Sequence, residues 1–200
     1  MRKVDPIKHE EKRREILEAA ERCFMRDGFH GATTSRICAE ASISAGHLYH
    51  YFDSKEAIVA GMAVIRLEKA TARFEHMMKS SDPVGALIAE IKGARTHKGA
   101  ADQALQLDVM AEARRNPAMA KIVQENMLKG RALMAAVLRE GQERGLVDSS
   151  LDPESTAAVL IGVVEAFRLM AIRDPKLDMK KSSELVKTMI LRFLTPTAAE

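Results

Sequence analysis

The sequence predicts an all-α protein of about nine helices. Among its 200 residues the helix formers Ala, Glu, Lys, Arg, Leu and Met predominate, and no long Val/Ile/Thr alternation typical of strands appears. Five Asp–Pro or Asn–Pro pairs each place a side-chain acceptor before a residue suited to a first helical turn. Hydrophobic residues make up 46% of the chain, but aromatic residues only 4%, so aliphatic side chains and 12 Met must fill the interior.

Helix-starting and helix-ending residues place these helices along the chain. Gly28 and Gly145 are suited to end helices, and Pro196 ends the last one. We expect the fourth helix to begin after Asp53, with Glu56 as its capping-box partner. The segment 96–100, THKGA, is expected to be a loop. The expected helices are 6–27, 35–41, 44–51, 54–79, 83–95, 102–114, 117–144, 153–173 and 180–194.

The stretch from residue 33 to residue 56 has the layout of a helix-turn-helix. Apolar residues recur at helical spacing on both sides of a turn, Ser42 interrupts the pattern, and Ser44 is a good cap for the next helix. In such a motif the second helix enters the DNA major groove. We expect the first helix to pack on Ile37, Leu48 and Phe52 through its own apolar stripe: Ile16, Leu17, Ala20, Cys23 and Phe24.

The outward face of the second helix of this motif carries unusual residues. If Leu48 and Phe52 face the core, then the residues that face outward or sideways are Ala45, Gly46, His47, Tyr49, His50 and Tyr51. Exposed aromatic side chains indicate a contact surface, and Gly46 allows a phosphate backbone to come close. The alternative from the residues alone is a small helical hairpin with aromatic packing.

The sequence of this stretch resembles that of the TetR family of transcriptional regulators. The resemblance is carried by TTSRICAEASISAGHLYHYFDSKEAIV and extends back through RREILEAAERCFMRDGFHGATT, about the first quarter of the chain. It implies a DNA-binding domain over residues 1–53 and a helical ligand-binding and dimerisation domain over 54–200. Ala45 stands where the family often has Lys, and His47 stands where it often has Thr, so the operator sequence cannot be transferred from relatives.

The expected DNA contacts fall into two groups. Hydroxyl groups, a helix N-terminus and charge would hold phosphates, at Thr33, Thr34, Ser44, Tyr49 and Lys55. The residues expected nearest to base edges are Gly46, His47 and His50, and Tyr51 suits either role. Residues 1–56 hold ten Lys/Arg and ten Asp/Glu, so a basic face must come from arrangement. Its candidates are Arg2, Lys3, Lys8, Lys12, Arg36 and Lys55, with an ordinary solvated helix face as the alternative.

The C-terminal part is expected to bind a small, largely apolar effector of unknown identity. Helices five to seven supply an apolar, Met-rich interior: Leu87, Ile91, Leu105, Leu107, Met110, Met119, Ile122, Val123, Met127, Leu133, Met134 and Val137. Each Met can equally be a core residue. As ligand contacts we expect Met110, Met127, Met134, Glu165 and Arg168. The alternative for Glu165 and Arg168 is a local ion pair on their helix.

The last two helices, about 153–173 and 180–194, are expected to form a homodimer. The first of them is apolar nearly all round, which suits either a central core helix or a helix shared with a second copy of the chain. The TetR resemblance implies the second arrangement. A dimer also gives two recognition helices the two-fold symmetry of a palindromic operator.

Other classes of protein find little support in the sequence. No membrane span, signal-peptide core, GxSxG, Walker loop or HExxH is present, so we expect a cytoplasmic protein that is not an enzyme and needs no cofactor. His47 and His50 lack a third ligand for a metal, and Cys23 and Cys38 are expected as buried thiols, with a redox switch as the alternative. The alternative function is a helical dimer that binds a protein or small molecule without recognising DNA.

Overall fold

The computed structural model of the chain describes residues 5–93, 97–174 and 176–196. These ranges hold nine α-helices and no β-strand, as the sequence predicts. The helices are α1 Pro6–Gly31, α2 Thr34–Glu40, α3 Ala45–Tyr51, α4 Lys55–Met78, α5 Pro83–Gly93, α6 His97–Ala113, α7 Pro117–Glu143, α8 Pro153–Arg173 and α9 Met179–Leu194. Within the described ranges, none of these helices combines the length and apolar composition that crossing a lipid bilayer requires.

Side-chain caps begin most of the helices where the sequence predicts them. The carboxylate of Asp5 accepts from the N–H of Ile7 at 3.1 Å, and that of Asp152 accepts from Ser155 at 2.9 Å. Asp82 and Asn116 cap α5 and α7 in the same way. These caps satisfy N–H groups that have no partner inside their helix.

Two local predictions are wrong. The segment 96–100 is not a loop over its whole length, because α6 already begins at His97. The cap of α4 is Ser54 rather than Asp53, since the Ser54 Oγ accepts from the N–H of Ala57 at 3.1 Å. The last helix begins within one residue of its predicted start, at Met179, and is capped by Asp178.

The chain divides into two compact units. The first holds the described residues up to Arg66 together with His97–Glu125, and the second holds the remaining described residues. The first unit therefore contains α6 and the start of α7 in addition to the helix-turn-helix. These units differ from the sequence ranges 1–53 and 54–200, and the functional boundary between those ranges stays a prediction.

The core of the first unit joins the helix-turn-helix to later segments of the chain. The apolar stripe of α1 packs with Ile37, Leu48 and Phe52, as predicted. Leu105 of α6 and Met119 of α7, which were expected in a ligand pocket, are buried in this same cluster. The core therefore depends on residues far from the motif in sequence.

The core of the second unit includes buried residues of α7, α8 and α9. Its members are Met77, Val84, Leu87, Ile88, Met134, Ala135, Leu138, Val147, Ala157, Leu160, Ile190 and Leu194. The other side of α8 and α9 stays exposed although it is apolar. Exposed large side chains there are Val159, Met170, Ile172, Leu185, Met189 and Phe193. None of the described residues covers the exposed part of this apolar face.

Candidate DNA-binding surface

Local hydrogen bonds define the turn between α2 and α3. The Oγ1 atom of Thr33 caps α2 by accepting from the N–H of Arg36 at 3.3 Å. The Oγ atom of Ser44 caps α3 by accepting from the N–H of His47 at 3.2 Å. Between the two helices, Ser42 has a φ of 53°, in the left-handed region that suits a tight turn. Short polar side chains thus set where each helix begins.

One side of α3 is buried and the rest is exposed. Leu48 lies in the core of the first unit. The exposed residues are Ala45, Gly46, His47, Tyr49 and His50, all expected at the DNA. A Cβ atom built on Gly46 would meet nothing within 4 Å, so the backbone there is open to close approach by another molecule. The helix thus presents its first turn outward, as a recognition helix must.

The two tyrosines of α3 have different surroundings. Tyr49 is 51% exposed, whereas Tyr51 is half-buried against three imidazole rings. The ring of His9 stacks on Tyr51 with centroids 4.6 Å apart, and the rings of His47 and His50 lie at 5.5 and 5.3 Å. The sequence pattern alone did not point to His9. Its spacing of seven residues before Ile16 places it on the same side of α1 as the core stripe, which could have indicated the contact.

Lys55 lies over an aromatic pair at the start of α4. Its ammonium is 4.2 Å from the centroid of Phe29 and 5.7 Å from that of Phe24. Burial lowers the pKa of Lys55 from its ordinary value, while Glu56 and Glu112 oppose that change. A cation over the face of a ring is attracted by the quadrupole of that ring. Phe29 is a second residue that sequence analysis did not associate with the site.

The remaining phosphate candidates are two hydroxyl residues and several cations. Thr33 is exposed and Thr34 half-buried at the start of α2. Lys12 pairs with Glu15 at 2.8 Å, and Lys8 is exposed. Arg2 and Lys3 lie outside the described residues. A basic face of the first unit therefore depends on few cations that are not engaged with carboxylates.

A cluster of ion pairs joins α1 to α2 beside the motif. Arg26 contacts Asp27 at 3.2 Å and Glu40 at 3.1 Å, and Arg22 contacts Glu40 at 2.8 Å. Arg36, a candidate for the basic face, lies 3.3 Å from Asp27. The hydrogen bond from Arg26 lowers the pKa of Asp27, and the one from Arg22 lowers the pKa of Glu40. These arginines are engaged by carboxylates of the same unit.

Both cysteines are buried in the core of the first unit. Burial raises the pKa of the Cys23 thiol, which disfavours the reactive thiolate. The Sγ atom of Cys23 also accepts from the Nη2 atom of Arg26 at 3.7 Å, and the redox alternative stays a prediction.

The residues expected to bind an effector are not brought together in one unit. Met110 belongs to the first unit and is 45% exposed. Met127, Met134, Glu165 and Arg168 belong to the second, where Met134 is a core residue and Met127 is 39% exposed. Their roles as ligand contacts stay predictions.

Glu165 and Arg168 do not form the local ion pair that was the alternative. Both are half-buried on α8. The ion pairs found among the described residues do not include this pair, and the Nε atom of Arg168 is buried without a hydrogen-bond partner. A buried donor without a partner is costly, so this atom is suited to an acceptor from outside the chain.

A capped helix-turn-helix with an exposed second helix is typical of proteins that place that helix in the DNA major groove, which defines the class of helix-turn-helix DNA-binding proteins. Residues 16–62 match the family model for bacterial regulatory proteins of the tetR family. Residues 94–195, half of the chain, match the model for the C-terminal part of BetI-type transcriptional repressors. The chain therefore belongs to the TetR family of transcriptional regulators.

Individual relatives agree with this assignment. The helix-turn-helix transcriptional regulator UidR of Escherichia coli K12 is 32% identical over 149 residues, which cover 74% of this chain and 76% of UidR. Salmonella enterica GusR has the same fold with a TM-score of 0.77 and 26% identity, covering 97% of this chain and 99% of GusR. The transcriptional repressor AcnR of Corynebacterium diphtheriae is 40% identical over 52 residues, which cover 26% of this chain and 27% of AcnR.

Proposed function

We propose that the chain is a homodimeric repressor that binds a palindromic operator and is released from it by a small, largely apolar effector. The observation that carries the DNA part is the exposed face of α3, where His47 and His50 stand beside an unobstructed Gly46. Ser44, Thr33 and Lys55 supply the phosphate contacts on this proposal. The repressor description of the C-terminal family model supports repression, and chromosomal DNA as the partner implies the cytoplasm.

The proposed dimer uses the exposed faces of α8 and α9. Leu185, Met189 and Phe193 follow one another at a spacing of four residues, so they form one stripe on α9. Small and apolar exposed residues form a similar stripe on α8: Val159, Gly162, Ala166 and Met170. Burying both stripes against a second copy removes apolar surface from water, which favours association. The resulting two-fold symmetry suits a palindromic operator.

The proposed effector binds in the second unit. The unpartnered Nε atom of Arg168 and the nearby Glu165 support a polar group on an otherwise apolar molecule. Binding releases DNA only if the effector binds the release conformation more tightly than the DNA-bound one. We propose that tilting of α4 changes the spacing between the two recognition helices, as the family resemblance implies.

The first experiment is a binding measurement with the purified chain. A fluorescent duplex from the region upstream of its own gene is titrated by anisotropy at two salt concentrations, with an unrelated duplex as control. We expect selective binding that weakens steeply with salt, because phosphate contacts release counterions. No preference at any salt would favour the alternative, a helical dimer that does not recognise DNA.

His47→Ala tests where the operator is contacted. We expect the free energy of binding to the upstream duplex to weaken by about 1–3 kcal/mol and sequence preference to relax, as for a lost base contact. His76→Ala is the matched control, since His76 is an exposed histidine of the second unit. If His47→Ala behaves like the control, α3 is not placed on the bases as proposed.

A further inference from the structure

A carboxylate of α6 holds the backbone of α1 at the point where α1 breaks. The Oδ2 atom of Asp108 accepts from the N–H of Phe29 at 2.9 Å, across 79 residues of sequence. Both residues belong to the first unit. Charge-assisted hydrogen bonds of this kind are stronger than those between neutral groups. Asp108 therefore fixes the position of the Phe29 backbone.

Gly28 makes this close approach possible. Its φ of 70° and ψ of 174° interrupt the helical conformation of α1, in a region that essentially only glycine adopts. A Cβ atom built on Gly28 would lie 2.9 Å from the Asp108 Oδ2 atom. A side chain at this position would thus push against the carboxylate. The break in α1 at Gly28 therefore leaves room for the carboxylate that accepts from the Phe29 N–H.

Phe29 links this arrangement to two of the proposed phosphate contacts. Its ring stacks on Phe24 with centroids 5.8 Å apart, and the two rings carry the Lys55 ammonium. Four residues after Phe29, Thr33 caps α2. A shift of the Phe29 backbone would therefore move the support of Lys55 directly and the start of α2 through the chain.

Two further contacts join α6 and the start of α7 to the segments around Phe29 and Lys55. Glu112 lies 3.3 Å from the Nε2 atom of His30, the residue after Phe29. At the start of α7, the Nδ2 atom of Asn116 donates to Glu56 of α4 at 2.9 Å. Within the first unit, α6 and the start of α7 thus contact the two segments that contain Phe29 and Lys55.

We propose that Asp108 is a positioning residue for DNA binding, because it holds the Phe29 ring on which the Lys55 ammonium rests. The proposal rests on the proposed function, in which Lys55 contacts a phosphate. Asp108 touches no DNA in this arrangement. It acts by keeping a cation at a fixed place on the surface, and so makes the phosphate contact depend on α6.

The salt dependence of DNA binding tests this proposal. Each phosphate contact contributes about −0.9 to the slope of log K against log salt concentration. We expect Lys55→Ala and Asp108→Ala each to make the slope shallower by about 0.9 per protomer, with a roughly eightfold loss of affinity per protomer at 0.1 M salt. The Asp108→Ala/Lys55→Ala double variant should show no further loss. Fluorescence anisotropy with the upstream and the unrelated duplex gives both the slope and the affinity.

The sign of the change in DNA affinity of Asp108→Ala distinguishes a positioning role of Asp108 from the simple loss of a negative charge. Removing a carboxylate should by itself strengthen binding to a polyanion, whereas the proposal expects Asp108→Ala to weaken it. Glu125→Gln, which removes one exposed carboxylate of the same unit, is the matched control and should leave the slope unchanged. Phe29→Leu keeps the backbone N–H but removes the aromatic face, and should reproduce the slope of Lys55→Ala.

The outcomes are distinct. An unchanged slope in Asp108→Ala, or additive losses in the double variant, would overturn the proposal while leaving DNA binding intact. If Asp108→Ala does not fold, as judged by circular dichroism, Phe29→Leu tests the support of Lys55 instead. Asp108→Asn keeps an oxygen that can accept from the Phe29 N–H, so it should keep most of the wild-type slope. A wild-type chain that binds neither duplex would instead overturn the proposed function, and this inference with it.

Discussion

The imidazole of His9 stacks on the ring of Tyr51, with centroids 4.6 Å apart and an angle of 30° between the planes. His9 is the fourth residue of α1, and Tyr51 is the last residue of α3. The contact therefore ties the start of the chain to the end of the proposed recognition helix. The ring of His50 lies 5.9 Å from His9, so the same helix is held at a second point.

His9→Ala should loosen α3 and weaken DNA binding. Aromatic pairs contribute about 0.5–1.5 kcal/mol, so we expect a loss of stability of about 1 kcal/mol and a several-fold loss of DNA affinity. Urea denaturation and anisotropy measure the two effects. His9→Phe keeps the stack and should keep most of the affinity. Equal losses in His9→Phe and His9→Ala would mean that the imidazole acts on DNA itself, not through Tyr51.

Leu185→Glu should convert the proposed dimer into a monomer. Leu185 is 71% exposed on α9 in a single chain, and a buried leucine contributes about 1.5–3 kcal/mol. A charge in an apolar interface is disfavoured further. Sedimentation velocity measures the state of assembly. Leu128→Glu is the control, since Leu128 is 54% exposed on α7, outside the proposed interface. Dissociation of both variants, or of neither, would contradict the α8–α9 interface.

Two helical glycines provide a test of close helix approach. Gly162 of α8 and Gly130 of α7 each have room for a Cβ atom, with nothing within 4 Å. In an isolated protomer, Gly→Leu at either position should favour the helix by roughly 0.7 kcal/mol. If α8 packs closely against its copy, Gly162→Leu should weaken the dimer while Gly130→Leu does not. Dimer dissociation constants from dilution series decide this, and equal constants would place Gly162 outside the contact.

Glu56 should contribute to the acid sensitivity of the first unit. Its own backbone N–H and the Ser54 hydroxyl hold the pKa of Glu56 below the ordinary 4.5, and Asn116 adds a further hydrogen bond. The unfolded chain therefore binds this proton more readily than the folded protein does. Ionised Glu56 stabilises the fold above about pH 4.5, and this stabilisation is lost as the pH falls through the lowered pKa.

Glu56→Gln should reveal this contribution as a difference between two pH profiles. We expect the variant to be less stable than wild type by roughly 1 kcal/mol or less at pH 7, with the difference shrinking as the pH falls below 4.5. Urea denaturation of both proteins from pH 7 to pH 3 provides the measurement. A difference that is constant over this range would show that the charge of Glu56 does not stabilise the fold.

Local sequence determined most of the helices and the placement of the motif. Caps such as Asp5, Ser44 and Asp152 act on N–H groups two or three residues away, so their effect is visible in a short stretch of sequence. The buried position of Leu48 follows from helical periodicity in the same way. The start of α6 at His97 was missed, because the glycine and polar residues of THKGA favour a loop.

The sequence by itself thus determined an all-α chain with a helix-turn-helix and an exposed α3. Only the tertiary structure decided that α6 packs on α1, that His9 supports Tyr51, and that Lys55 rests on Phe29. The Asp108–Phe29 hydrogen bond spans 79 residues, and no pattern within one helix specifies a partner on another. Periodicity shows which face of a helix is buried, whereas packing of side chains in three dimensions selects what that face contacts.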